Sequence, residues 1–352
     1  MLRLLMCLWL LLATTVARAD QPLDDLMTVE PISLEVGKDL VVLVDGKAPP
    51  LLTGVSALRQ QLKVDRGFVL PGVRFRDDTF LQPREYVIYV REQEVGRGLI
   101  QPGKLLAVPK NRAALGALRG DPGLDALTGL VGRWVGPADK AKAEKAGCAV
   151  YDAGTVVHRH LKQVVSSNAH HLMGRQAMLD AAPPLLAGAL SSDLAAQDRC
   201  LAVCHNLLQE GVPLHLNLVA ETALDKSLTR LDADSVTEKI RCDAFPLICI
   251  PLAHNKVIPA ATLSSALEAK LRGAVSWGPT GLMIANREGL ADSLEAPLAR
   301  VLKALPDQPV LLVADDLRLA VRRLTQRRYP LLTVLKPAEV VQGFSVKKVL
   351  EI

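Results

Sequence analysis

The stretch from Pro309 to Leu335, PVLLVADDLRLAVRRLTQRRYPLLTVL, decides the fold class. Pro309-Val310-Leu311-Leu312-Val313 is a short apolar run of the kind that forms a buried strand. Asp316 to Arg327 reads as an arginine-rich helix, and Pro330 to Leu335 as a second short apolar strand. Strand, helix and return strand make one αβ layer unit. Asp315-Asp316, after the first strand, reads as a helix cap rather than a metal pair. Arg318, Arg322, Arg323, Arg327 and Arg328 form a basic face. A solvated helix surface is the plain reading of that face, and a partner or subunit contact through Arg322 and Arg323 the functional one.

Working outward, Leu247 to Pro251 reads as a strand, with helices over Ala260 to Arg272 and Gly289 to Leu305. Upstream, Arg175 to about Ile240 is helical throughout, with leucine stripes broken at Pro183-Pro184 and Gly211-Val212-Pro213. Near the start, Ile32, Leu34, Val36 and then Leu40 to Val44 predict a strand or two split by Gly37. Thr53 to Val64 predicts a helix, and Phe68 to Leu70, Val73 to Arg76 and Glu85 to Arg91 predict short extended segments. Pro102-Gly103 opens a glycine-rich, irregular module. Cys148 to Tyr151 is expected to return as a strand to the first sheet, and the helix after it to be capped by Asp152 or Thr155. The predicted fold class is therefore α/β and multi-subdomain. An α/β first subdomain covers 26–98 and 146–167, with a small second inserted over 99–145; a helical third covers 168–245 and an α/β fourth 246–345.

Composition narrows the function. The 352 residues carry 42 Lys+Arg against 37 Asp+Glu, and the charges are mixed along the chain. A nucleic-acid binder would show a denser basic stripe. Aromatic residues are only 3%, against base-stacking or carbohydrate platforms, while 49% hydrophobic residues suffice for sizeable cores. Six cysteines at irregular spacing make no disulfide scaffold. Residues 1–19 pair Arg3 with an apolar run ending in Ala17-Arg18-Ala19-Asp20. They read as a signal peptide or a membrane anchor, with the remnant of a last transmembrane helix a third reading.

No catalytic constellation assembles. Cys200-x-x-x-Cys204-His205 is the densest ligand-like cluster, but it lacks the second pair of a structural zinc site and reads as buried free thiols on a helix. His158, His160, His170 and His171 gather around one helix without a nucleophile elbow. His215 and Glu221 make no acid–base pair, and the glycines from Gly116 to Gly129 lack the phosphate-loop spacing. No enzyme activity, cofactor, metal or nucleic acid is expected.

Several separated phrases carry a resemblance. They include Pro31-Ile32-Ser33-Leu34-Glu35-Val36-Gly37, Leu58-Arg59-Gln60-Gln61-Leu62, and Gly67-Phe68-Val69-Leu70-Pro71-Gly72-Val73-Arg74-Phe75-Arg76-Asp77. Pro102-Gly103-Lys104-Leu105-Leu106-Ala107, Gly129 to Val135, Asn206 to Pro213 and Arg328 to Leu335 follow in the same order. Together they resemble the cytoplasmic C-terminal module of the large export-gate protein of type III secretion and flagellar export systems. The family's multi-span membrane domain is expected to be lacking, with the short apolar segment in its place.

The resemblance implies the same four-part module, assembled into a nine-membered homo-oligomeric ring beneath the export gate. There it receives substrates, often brought by chaperones, or other apparatus proteins. The family's chaperone-docking cleft uses an aspartate, an aromatic three residues later and a threonine at a helix start. These fall on Asp125, Thr128 and Thr155, so Thr128 replaces the aromatic. Asp125 is expected to be exposed in its glycine-rich module. The implied location is at the inner membrane with the module facing the cytoplasm, anchored through the N-terminal segment if uncleaved. The alternative is a periplasmic or membrane-anchored scaffold that kept the ring module and lost export.

Overall fold

The computed structural model describes residues 29–47, 49–109, 118–278, 281–306 and 308–352. The readings of residues 1–19 lie outside them. The first sheet has the order β2-β1-β3-β4, from β1 (Ile32–Val36), β2 (Val73–Asp77), β3 (Glu85–Val90) and β4 (Gln93–Leu99). β1 runs parallel to β2 and antiparallel to β3, placing Leu34 opposite Phe75 on one side and Ile88 on the other. Helix α1 (Pro50–Arg66) makes the crossover. Its Leu51, Val55, Leu58 and Leu62 form the buried stripe that the sequence spacing predicts, and Gly67 ends it at φ +61°.

Leu40 to Val44 is not a strand. Lys38–Leu43 is a 3₁₀ helix that follows directly on β1, where the Gly37 and Asp39 amides donate to the Glu85 and Pro83 carbonyls at 2.9 and 2.8 Å. Phe68 to Leu70 is also unpaired: the Arg59 side chain, at 3.0 Å, takes the Leu70 carbonyl, while Phe68 and Leu70 are buried as anchors.

The second sheet has the order β6-β7-β5-β8, from β5 (Leu105–Pro109), β6 (Asp121–Leu124), β7 (Val131–Val135) and β8 (Cys148–Asp152). This corrects the expected return of residues 148–151 to the first sheet, since Cys148–Asp152 pairs antiparallel with Pro109–Leu105. The short α2 (Lys140–Lys145) precedes β8. What spans the two sheets is the next helix, α3 (Ala153–Leu172), which packs on α1 and touches β3, β4 and β5.

The helical region runs through α4 (Arg175–Ala181), α5 (Pro184–Ser192), α6 (Leu194–Gln209), α7 (Leu216–Leu224), α8 (Ala233–Asp243) and α9 (Phe245–Cys249). The predicted strand at 247–251 is thus a helix running into a 3₁₀ turn; Pro246 sits in its first turn, where a missing N–H costs nothing. Beyond it, β9 (Val257–Thr262), β12 (Val310–Leu312), β13 (Thr333–Leu335) and β14 (Ser345–Glu351) form a parallel sheet of order β13-β12-β9-β14. The predicted αβ unit of Pro309 to Leu335 is present, with α12 (Arg318–Thr325) between β12 and β13.

The helix expected over Ala260 to Arg272 begins only at α10 (Ser265–Arg272), because Val257 to Thr262 is strand. Pro259 is tolerated there because β12 pairs only with Ala261 and Thr262, leaving the Pro259 side of the ladder open. A β10 (Val275–Gly278) and β11 (Gly281–Ile284) hairpin and α11 (Arg287–Ala304) complete this part. Asp316 does not cap α12: Leu317 holds the cap position, and the carboxylate bonds Arg272 Nε at 2.6 Å.

One apolar core runs from Ile32 and Ile88 through Val157, Val203 and Ile240 to Ile258, Val310 and Leu335. The opposite face of the last sheet, with Leu311, Val334 and Ala261, packs a second core against Leu290, Leu294 and Val321. No helix among the described residues is long and apolar enough to cross a membrane.

Candidate docking cleft

Where β4 faces β6, a cleft of about 860 Å³ opens between the two N-terminal sheets, with the buried Trp134 and His160 in its lining. Glycines let two aromatic rings pack directly against its strands. A Cβ at Gly98 would lie 2.7 Å from the Tyr86 ring, and one at Gly123 would lie 2.5 Å from the Trp134 indole. Leu99 and Leu124 wall the opening and are exposed; Val131 stands opposite Leu124 on β7, with Leu130 beside it. Several exposed aliphatic side chains around one concavity are what an apolar partner needs.

Beneath this wall Tyr86 Oη and His160 Nδ1 are 2.9 Å apart. Burial raises the Tyr86 phenol, and nearby Asp125 adds to the shift, so the hydroxyl keeps its proton and donates. Burial lowers His160 against the opposing pull of Asp125, consistent with a neutral acceptor ring.

The three residues of the expected docking motif are placed differently. Asp125 is only 1% exposed, which corrects the expectation of an exposed acid. It builds the β6–β7 turn: its amide donates to Leu130 O at 3.0 Å, and its carbonyl accepts from Gly129 N at 2.8 Å. Gly129 takes φ +68°, which a glycine adopts without strain. Thr128 is exposed at the tip, and its hydroxyl donates to Asp125 Oδ2 at 2.7 Å. Arg159 on α3 stacks 3.8 Å over the Tyr151 ring and reaches Asp125 at 3.5 Å.

Thr155 lies one turn before Arg159 on α3. Its amide and hydroxyl both bond Asp152 at 2.8 Å, making Asp152 the helix cap. Burial would raise the Asp152 carboxyl, but the Thr155 amide and hydroxyl hold it below the ordinary range. Asp125 and Thr128 are therefore joined directly, while no hydrogen bond among the described residues links either to Thr155.

Arg322 and Arg323 belong elsewhere, and the solvated basic face is corrected to the exposed Arg327 and Arg328 alone. Arg318 is fully buried and Arg322 is 3% exposed. Arg318 binds Glu210 and Glu238, and Arg241 binds Glu210 and Glu339 at 2.7 Å each. Lys336 reaches Glu238 at 2.9 Å, and Arg322 donates to the carbonyls of Leu332 and Gln209. Arg323 is half-buried, paired with Asp234 at 2.6 Å. This cluster ties α6, α8 and α12 together. Sequence reasoning missed it because its bonded partners lie up to 113 positions apart; the leucine and valine surroundings of Arg318 and Arg322 were the available signal.

The remaining candidates are structural. Cys200 and Cys204 are buried free thiols one turn apart on α6, and the hydrogen bond with Cys200, helped by burial, raises Cys204. His158 Nε2 meets Leu51 O at 3.1 Å and His205 Nε2 meets Met173 O at 2.8 Å, so both rings fasten helices to neighbouring backbone. Among the described residues no group of three or more His, Cys, Asp or Glu is placed to hold a metal.

Known proteins share this architecture and sequence. The model of the FHIPEP family matches residues 12–345. The flagellar biosynthesis protein FlhA of Salmonella typhimurium is 32% identical over 332 residues, covering 90% of this chain and 47% of FlhA. FlhA of Bacillus subtilis is 27% identical over 92% of this chain and 50% of its own length. The chain thus spans about half the length of these curated relatives. The Chlamydia pneumoniae CdsV structure superposes with a TM-score of 0.73 at 22% identity, over 92% of this chain and 98% of that one. A structure of CdsV with CdsO gives 0.72 at 21%, over 93% and 99%. Nonameric SctV-C from EPEC gives 0.71 at 16%, over 93% and 99%. With the family matched along nearly the whole sequence and the fold shared throughout, the chain belongs to the FHIPEP family and carries the C-terminal module of the flagellar and type III export-gate proteins.

Proposed function

We propose that this chain is the ring-forming, partner-docking module of a type III-type export apparatus, and that it works by binding rather than by catalysis. The observation that carries the reading is the family match over residues 12–345 joined to the fold of a nonameric relative. The cleft between the N-terminal sheets supports docking: it is concave, walled by exposed Leu99 and Leu124, and floored by a buried tryptophan. The occupants would be export substrates, their chaperones or another apparatus protein. That CdsV has been solved in complex with CdsO supports partner binding by a module of this fold. Because Thr128 is polar, contact would rest on the leucines rather than on an aromatic anchor.

The division into 26–98 with 146–167, 99–145, 168–245 and 246–345 stands as proposed units, with residues 148–152 moved to the small one. Membership of the export-gate family supports an inner-membrane location with the module facing the cytoplasm.

Sedimentation velocity and electron microscopy of the purified chain test the ring. Closed nine-membered particles are expected at high concentration, and a monomer at every concentration would sink this part. Capture of chaperone–substrate pairs by the chain and by Leu124→Asp tests the cleft, with a loss of about tenfold expected for the variant. Equal capture would move docking to another surface.

A further inference from the structure

A second cavity, of about 660 Å³, lies where α3, the end of α6 and the segment after α12 meet. Its lining includes Arg66, Arg159, Lys162, Arg322 and Arg327, and no acidic residue among the described ones. A concavity lined by one sign of charge concentrates ligands of the opposite sign. Arg159 is engaged with Asp125, and Arg66 with the Gly211 carbonyl. Lys162 and Arg327 form no ion pair with a described residue.

Arg322 marks the deep end. In the adjoining buried cluster four cations, Arg241, Arg318, Arg322 and Lys336, face three carboxylates, Glu210, Glu238 and Glu339. Arg322 is the cation left with carbonyl partners only, and its buried Nε has no partner among the described residues. His170 Nδ1, in the same lining, is also buried without a partner. Burial lowers Arg322 and Arg66, and burial with His171 and His205 holds His170 at about 4. An anion in the cavity would offset the uncompensated positive charge of this lining. The remaining wall includes Leu127, Leu208, Pro330 and Leu331. A bare phosphate would leave these apolar contacts unused, and the lining offers no Phe, Tyr or Trp on which a base could stack.

We propose that this cavity binds an acidic peptide segment, its carboxylates set against Lys162, Arg327 and Arg322 and an apolar side chain against Leu127 and Leu331.

Fluorescence anisotropy of the full chain with a labelled peptide of about eight alternating Glu and Leu residues tests it. Saturable binding is expected, weakened about tenfold or more by Lys162→Glu with Arg327→Glu and unchanged by Lys347→Glu on exposed β14. The His170 ring resonance is expected to move on peptide addition, and thermal melts of the variants confirm that they are folded. Absence of saturable binding overturns the proposal, as does an equal loss from Lys347→Glu. Inorganic phosphate or a single-stranded oligonucleotide displacing the peptide at equal charge concentration would overturn the ligand class. A double variant that shifts the sedimentation coefficient and leaves peptide affinity intact would make the cavity a subunit contact instead.

Discussion

At the scale of single residues, burial reverses what two charged side chains were expected to do. Asp125 reads from sequence as an exposed docking acid, yet its carboxylate is the internal acceptor of the β6–β7 turn, bonded to Thr128 and near Arg159. Asp125→Ala is therefore expected to lower stability by about 2 kcal/mol, since it leaves the Thr128 hydroxyl without its acceptor and Arg159 without its counter-charge. The urea midpoint measures this, and an unchanged midpoint would return Asp125 to the role of a surface contact. Arg322 and Arg323 are adjacent and chemically alike, but they should behave differently. Arg322→Glu would place a carboxylate at a site 3% exposed, where carbonyl oxygens now accept from the guanidinium. A loss of about 3 kcal/mol or more is expected in the thermal melt. Arg323→Glu replaces one half-exposed pair with Asp234 by a repulsion, and about 1 kcal/mol is expected. Equal losses would contradict the placement of the two side chains.

At the scale of elements, α1, α3, α6 and the αβ unit of Pro309 to Leu335 were legible because each carries a long apolar period or a bounded apolar run. The strands β9, β11 and β14 and the helix at 245–249 were not. Five apolar residues around two prolines fit a strand or a turn of helix equally well, and β14 is a lysine-bearing strand whose partner, β9, lies some 90 positions upstream. The family phrases pointed to Asp125, Thr128 and Thr155 as candidates, but no local signal told that Asp125 is buried. Nor did spacing show that α6 ends on a carboxylate shared by two other helices. That carboxylate, Glu210, has a clear pH signature. Burial alone would raise it, but Arg241 and Arg318 overrule this and hold it at about 2, against an ordinary 4.5. A depressed carboxyl stabilises the fold in full above its unfolded value and loses that contribution as pH falls towards the folded one. About 3 kcal/mol is thus expected to disappear between pH 5 and pH 2 in wild type. Glu210→Gln should be less stable at neutral pH and show a shallower acid limb. Parallel acid limbs in urea titrations would show that Glu210 carries no such linkage.

At the scale of the whole molecule, the joint between the helical region and the last sheet combines a narrow apolar seam with the buried charges. The seam is Ile258, Ala260, Val310 and Leu335, while the other face of the sheet has its own core. Arg241 crosses the joint most completely: it bonds Glu210 on the helical side, Glu339 on the far side and the Val334 carbonyl at the sheet. Removing one member of a buried pair costs more than the pair contributes, because the remaining charge stays desolvated. Arg241→Met keeps much of the volume but strands Glu339, which is fully buried. The loss of about 3 kcal/mol should fall on the joint rather than on the first sheet, whose contacts are untouched. Native-state hydrogen exchange reads the difference directly. Amides of Val257–Thr262 and Val310–Leu312 are expected to exchange about a hundredfold faster in Arg241→Met, while those of Ile32–Val36 and Glu85–Val90 keep their rates. Uniform acceleration in both regions would mean that the continuous apolar core dominates and the chain opens as one unit. Confined acceleration would show that the buried charges hold the last sheet to the helices as a unit that opens separately from the first sheet.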